Sequence, residues 1–116
     1  MQIKFSRCIC LSTDKHRQAV EFYRDVIGLT VADEQEGSVE FAAEPYRLFV
    51  DRSGDHGELT KGMVLEFIVD DLGLARRELE AAGCTVLRWE GAGKDCYMQD
   101  PFGAVFNLWQ DPEAFK

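Results

Sequence analysis

The sequence has 116 residues, of which 46% are hydrophobic, so it is long enough for one domain with a single core. Its formal charge is −8, and its lysines and arginines are scattered, which excludes the basic stripe of a nucleic-acid-binding protein and disfavours anionic membrane surfaces. No segment approaches the roughly 20 apolar residues of a membrane-spanning helix. We therefore expect a cytoplasmic protein with no nucleic-acid or membrane partner.

The first elements are predicted to be a strand and a helix. Residues 3–12 alternate apolar and polar side chains with the two-residue period of a half-buried strand, which only Arg7 interrupts. Thr13 or Asp14 is expected to cap the helix that follows, and Gly28 to end it. The apolar positions of this helix are Ala19, Val20, Phe22, Tyr23, Val26 and Ile27.

Three short strands are predicted next, followed by a polar segment. The strands cover residues 29–33, 38–42 and 46–51. The glycine-rich stretch after them is long enough to join two units. The chain thus divides into a first module over about 1–53, a linker over about 54–61 and a second module over about 62–116.

The second module repeats the order of the first. A strand over 63–69 precedes a helix that Asp70 or Asp71 is expected to cap and Gly83 to end. Three strands follow, near 85–89, 95–99 and 104–109. Gly28, Thr30 and Val31 recur as Gly83, Thr85 and Val86, 55 residues later, as two copies of one supersecondary unit would require.

These motifs together resemble the vicinal oxygen chelate superfamily, which includes glyoxalases, extradiol dioxygenases, fosfomycin-resistance enzymes and bleomycin-resistance proteins. They are the Phe22-Tyr23 helix end before Gly28, its repeat, and the turn Asp100-Pro101-Phe102-Gly103. The resemblance implies an α+β fold in which two βαβββ modules form an open eight-stranded mixed barrel with the helices outside. It also implies a cavity inside and a homodimer.

Metal-dependent members of this superfamily present His, Glu or Gln from the first and last strands of each module. The resemblance places those positions on Cys8, Val64, Asn107 and one residue within 47–49. Valine cannot bind a metal, and neutral asparagine is a poor ligand for divalent iron, manganese or zinc. We therefore expect no metal and no other cofactor, with His16 and His56 at the surface.

The inner faces of the strands are expected to contact a ligand. The candidate ligand-binding residues are Cys8, Cys10, Phe49, Glu66, Trp89, Tyr97, Asn107 and Trp109, with Phe41 also facing inward. Glu66 stands out because a buried carboxylate is costly unless it is paired, protonated or solvated. Either it pairs with an inward Arg47 or Arg7, or it is exposed at the mouth of the cavity. The alternative is that it selects a cationic or hydrogen-donating ligand or acts as a general base, which makes it the sole catalytic candidate.

The expected function is metal-independent binding of a small organic molecule, cationic or aromatic, without turnover. This is similar to the bleomycin-resistance branch, in which a dimer sequesters an antibiotic or metabolite. One alternative is a lyase, isomerase or dioxygenase with an unconventional metal site that includes Cys8, Glu66 and Asn107. Another is a non-catalytic structural or regulatory subunit. Asp100 is expected to shape its turn and to take no part in chemistry.

Overall fold

A computed structural model describes residues 1–53, 62–89 and 95–116, so the predicted linker with His56 lies outside the described residues. The described chain is α+β, and its eight strands combine parallel with antiparallel pairs. The strands are β1 (Ile3–Thr13), β2 (Val31–Gln35), β3 (Ser38–Ala43), β4 (Tyr46–Arg52), β5 (Gly62–Val69), β6 (Thr85–Arg88), β7 (Asp95–Gln99) and β8 (Val105–Gln110). The helices are α1 (His16–Glu21), which a π-helix (Phe22–Val26) extends, α2 (Leu72–Ala81) and a 3₁₀ turn (Pro112–Phe115).

The chain forms two compact units. The N-terminal unit comprises Arg7–Val64, and the C-terminal unit comprises Met1–Ser6 with Leu65–Lys116. Ser6 Oγ donates to the backbone oxygen of Glu66 at 2.9 Å, a contact within the C-terminal unit. Each unit contains a strand, a helix and three further strands, so the predicted repeat of βαβββ modules is confirmed.

In the N-terminal unit the strands pair in the order β2-β3-β4-β1, with β1 parallel to β4 and the other pairs antiparallel. Its core is the cluster of Val20, Val39, Phe41 and Val50, which lies between α1 and the sheet. Burying such side chains stabilises the unit by roughly 1.5–3 kcal/mol each.

The first helix is less regular than its sequence pattern predicts. It begins after Lys15, which caps it without a side-chain hydrogen bond. Thr13 Oγ1 instead accepts from the backbone nitrogen of Lys15 at 3.1 Å, so the predicted cap by Thr13 or Asp14 is wrong. The helix ends with the backbone nitrogen of Ile27 donating to the oxygen of Phe22, five residues earlier. Gly28 then takes a φ of 88°, the predicted left-handed stop.

In the C-terminal unit the order is β5-β8-β7-β6, with β5 parallel to β8. Its core is the cluster of Val69, Leu72, Ala75, Cys96, Met98 and Leu108 beneath α2. Asp71 Oδ1 accepts from the backbone nitrogen of Leu74 at 3.0 Å, which confirms the predicted cap.

The turn before β8 is held by Asp100. Its Oδ1 accepts from the backbone nitrogens of Phe102 at 2.8 Å and Ala104 at 2.9 Å, in agreement with the structural role predicted for this carboxylate. Gly83 takes a φ of 106°, and a Cβ there would lie 3.1 Å from Cγ of Pro101. Gly83, which ends α2, therefore also leaves room for the side chain of Pro101 in this turn. No helix in the described ranges is long and apolar enough to span a membrane.

Candidate ligand-binding faces

The sheet of each unit has one face packed against its helix. The face opposite the helix is where the sequence predicts ligand contacts, and we call it the ligand face of that unit. Side chains alternate between the two faces along a strand, and residues directly opposite in neighbouring strands share a face. Strand register therefore decides which predicted residues lie side by side.

In the N-terminal unit the register brings three predicted residues onto the ligand face. Cys8 lies opposite Arg47, and Cys10 lies opposite Phe49, in the parallel pair of β1 and β4. The helix-side core takes the alternate residues of β4, Leu48 and Val50. Neither Cys8 nor Cys10 forms a disulfide, and Cys8 is buried.

An ion pair that the sequence analysis missed lies beside these residues. Arg47 Nε donates to Glu40 Oε2 at 2.8 Å, and Arg47 Nη2 donates to Oε1 at 2.9 Å. The guanidinium also lies 5.0 Å from the ring centroid of Phe49, and its Nη1 lies 4.0 Å from Cys8 Sγ. These hydrogen bonds lower the pKa of Glu40 and raise that of Arg47. Arg47 is one of the two arginines predicted as a possible partner for Glu66. It instead forms a bidentate ion pair with Glu40, through Nε and Nη2.

A second polar group lies further along the same face. Ser38 Oγ donates to Asp51 Oδ1 at 2.6 Å, and Ser12 lies opposite Asp51 in β1. Ser12 and Asp51 are both buried. The antiparallel register of β3 and β4 aligns Ser38 with Asp51 and Glu40 with Phe49. A tight hairpin between the two predicted strands sets this register. The hairpin is therefore the feature of the sequence from which the Glu40–Arg47 pair and the Ser38–Asp51 hydrogen bond could have been predicted.

In the C-terminal unit four residues from four neighbouring strands form a row on the ligand face. Glu66 lies opposite Asn107, Asn107 opposite Tyr97, and Tyr97 opposite Arg88. The next residue of β8 on the same face is Trp109, which is 40% exposed. The row therefore contains Glu66, Asn107 and Tyr97 as predicted, and Arg88 in addition.

Asn107 is a buried polar residue of this row. The residue is 9% exposed, and its Nδ2 lies 3.4 Å from Glu66 Oε2, to which it donates. Its Oδ1 is buried and has no hydrogen-bond partner in the described part of the chain. A buried acceptor without a donor costs about 1–3 kcal/mol, so this oxygen is a candidate to receive a hydrogen bond from a ligand.

Trp89 and Phe41 do not lie on the ligand faces, so the predicted inward position of each is wrong. Phe41 belongs to the buried core under α1. Trp89 packs against the core under α2, where the Arg76 guanidinium carbon lies 4.6 Å from its ring centroid. A β-bulge in β6 between Val86 and Arg88 explains the error. The extra residue of the bulge places each later side chain on the opposite face from the one that regular alternation predicts.

The positions at which the resemblance implies metal ligands do not fit a metal. Val64 has no donor atom, and β4 offers Arg47, Leu48 or Phe49, none of which is a ligand. Of the positions in the N-terminal unit, Cys8 carries a possible donor atom. In the C-terminal unit the Asn107 amide is hydrogen-bonded to Glu66. The described residues contain no group of three or more histidines, cysteines or acids that could hold a metal ion. His16 lies on the helix side, with Nε2 3.0 Å from the oxygen of Val50.

Several solved structures share this fold at low sequence identity. A glyoxalase/bleomycin resistance protein/dioxygenase superfamily member from Vibrio splendidus 12B01 is 16% identical with a TM-score of 0.63, over 95% of this chain and 100% of that chain. Methylmalonyl-CoA epimerase from Mycobacterium tuberculosis is 17% identical with a TM-score of 0.58, over 93% and 88%. A structure from Legionella pneumophila described as NAD-dependent benzaldehyde dehydrogenase is 14% identical with a TM-score of 0.71, over 89% and 96%. At these identities the likeness concerns the fold alone.

Comparison of the sequence itself gives the family. No curated protein matches the chain significantly. The family described as glyoxalase-like domain matches residues 8–109, which include both modules and the Asp100 turn. The chain therefore belongs to the glyoxalase-like domain family.

Proposed function

We propose that this protein binds a small organic molecule without the help of a metal ion. The observation that carries the proposal is the set of residues at the family's metal positions, above all Val64, which supplies no electron pair. Polar groups that could orient an organic ligand are nevertheless present on the ligand face, where Asn107 and Tyr97 are buried side by side. Trp109 adds a partly exposed ring, and a flat apolar surface beside a few placed polar groups is typical of small-molecule sites.

Metal content and ligand binding test this proposal together. The purified protein should contain no stoichiometric iron, zinc, manganese or nickel by elemental analysis. In a thermal-shift screen of small organic molecules, some should raise the melting temperature equally with and without EDTA, because ligand binding stabilises the folded state by mass action. Stoichiometric metal, or binding that EDTA abolishes, would contradict the proposal and favour the enzyme alternative.

The two tryptophans locate the bound molecule. Trp109 lies on the ligand face, whereas Trp89 lies under Arg76 on the helix side. A ligand from the screen should change the fluorescence of the Trp89→Phe variant and leave that of Trp109→Phe unchanged. The opposite pattern would move the binding site to the helix side of the sheet.

A further inference from the structure

We propose that Arg88 and Asp95 bind a zwitterionic ligand, an aromatic molecule with an ammonium and a carboxylate on one carbon atom. This inference rests on the proposed function and names the class of molecule bound. Arg88 lies opposite Tyr97 on the ligand face of the C-terminal unit. Asp95 precedes Tyr97 by two residues in β7 and faces the same side, whereas Cys96 and Met98 belong to the core under α2.

Neither of these two charges is compensated within the described part of the chain. Both residues are partly buried, and neither side chain forms an ion pair or a hydrogen bond with a described residue. No charged atom of either side chain is sealed from solvent, so a ligand can reach both groups. Glu66 differs from them, because it already accepts from Asn107. A partly buried charge has lost some of its hydration, and an opposite charge on a ligand compensates for that loss.

The register of the two strands favours a single ligand that carries both charges. Arg88 and Asp95 are diagonal neighbours in the antiparallel pair of β6 and β7, and such positions lie roughly 7–8 Å apart. Long side chains can span that distance, yet these two form no ion pair with each other among the described residues. An ammonium next to a carboxylate fits between them and contacts both. A ligand with one charge would attract one of the two side chains and repel the other.

The ring of Trp109 favours an aromatic side chain on this ligand. Trp109 lies opposite Asp95 in the pair of β7 and β8, and it is 40% exposed. Aromatic rings attract each other in offset and edge-to-face arrangements, and the face of an indole ring also attracts an ammonium. A molecule whose ammonium binds Asp95 can therefore place its own ring against Trp109. The class of molecule is that of the aromatic α-amino acids.

Three molecules with the same ring and different charges test the inference. Phenylalanine carries both charges, phenethylamine carries the ammonium alone, and 3-phenylpropionate carries the carboxylate alone. In calorimetric titrations at pH 7, phenylalanine should bind the wild type about fivefold more tightly than either of the other two. The factor is modest because contacts between partly exposed charges are screened by solvent.

Substitutions at the two charges should produce crossed patterns. Arg88→Gln should weaken phenylalanine and 3-phenylpropionate about fivefold each, and should leave phenethylamine no weaker than in the wild type. Asp95→Asn should weaken phenylalanine and phenethylamine by a similar factor and strengthen 3-phenylpropionate. A merely structural role of either residue would change all three affinities in the same direction.

Three further variants control for charge and folding. Arg88→Lys keeps the positive charge and should retain most of the affinity for phenylalanine, which separates loss of charge from loss of structure. Arg77→Gln removes an exposed arginine from α2 and should leave all three affinities unchanged. Glu113→Gln does the same for an exposed carboxylate of the C-terminal 3₁₀ turn. Melting temperatures without ligand show whether each variant folds.

The possible failures are distinct. Binding of phenethylamine or 3-phenylpropionate as tight as that of phenylalanine would overturn this inference and leave the proposed function standing. The same holds if Arg88→Gln and Asp95→Asn bind phenylalanine like the wild type, or if phenylalanine does not bind while another molecule of the thermal-shift screen does. If neither these probes nor any molecule of that screen bound at all, the proposed function itself would be wrong.

Discussion

At the scale of single residues, the pair of Glu40 and Arg47 couples the stability of the N-terminal unit to pH. The hydrogen bonds from Arg47 hold the pKa of Glu40 below its ordinary value of 4.5. A lowered folded-state pKa contributes stability that is present above pH 4.5 and is lost as the pH falls through the folded value. Glu40→Gln should lower the free energy of unfolding at pH 7 by about 1 kcal/mol or less, because an exposed arginine is screened by solvent.

Urea unfolding followed by circular dichroism at several pH values measures this effect. The difference between wild type and Glu40→Gln should shrink steadily as the pH falls below 4.5. Asp25→Asn is the matched control, since Asp25 is also paired through two hydrogen bonds, with Arg24, but both its side chain and that of Arg24 are exposed. Equal losses in the two variants, or a difference that does not change with pH, would contradict the prediction.

The buried thiol of Cys96 should be inert in the folded protein. Burial under α2 raises its pKa to about 11, because desolvation disfavours the thiolate, which is the reactive form. At pH 8 iodoacetamide should therefore modify the partly exposed Cys10 before Cys96. Peptide mass mapping should find Cys96 modified only after unfolding in guanidinium. Equal rates for the two thiols in native protein would show that the core under α2 opens readily.

At the scale of elements, the two helices differ in how they begin. Asp71 caps α2 through its side chain, whereas α1 begins at Lys15 without a side-chain hydrogen bond. Asp71→Ala should destabilise the protein by about 1 kcal/mol, the usual cost of losing such a cap. Asp14→Ala should have a much smaller effect. Thermal or urea unfolding of the two variants compares them directly, and equal losses in the two would contradict the predicted difference between the helix starts.

The strands were predictable because their signal is local. The predicted bounds of β7, Asp95–Gln99, agree with the structure, and the other strands lie within two residues of their predicted bounds. The errors occur where backbone geometry departs from a regular period. The π-helical turn at Phe22–Val26 and the bulge before Arg88 both insert a residue that no alternation rule anticipates.

The site was predictable in part for the same reason. The alternation of side chains along a strand is enough to place Glu66 and Asn107 on the face away from α2. The distance of 3.4 Å between their side chains agrees with that expectation. The pair of Glu40 and Arg47 depends on which strands are neighbours and on their register. The alternation of side chains along a single strand specifies neither. Trp89 was misplaced because its position depends on the bulge. Whether any of these residues binds a ligand stays a prediction.

At the scale of the whole molecule, we propose that the protein is a homodimer, as its family resemblance implies. The free edge strand of the N-terminal unit, β2, is poorly suited to pairing with its own copy. It presents Asp33 and Glu34 to solvent, and charges on an edge strand oppose self-association. The first helix is better suited, because Phe22, Val26 and Ile27 expose apolar side chains close together, and Val26 is 71% exposed.

Sedimentation velocity at micromolar concentration decides both points. The wild type should sediment as a dimer, Val26→Glu as a monomer, and Asp33→Asn as a dimer. The reason is that a charge in an apolar contact is desolvated without a partner, whereas the edge strand is expected to lie outside the contact. The net charge of −8 makes the two copies repel each other, so the dimer should also strengthen as salt is raised. A monomeric wild type would refute the dimer, and a dimeric Val26→Glu would exclude the helix as its interface.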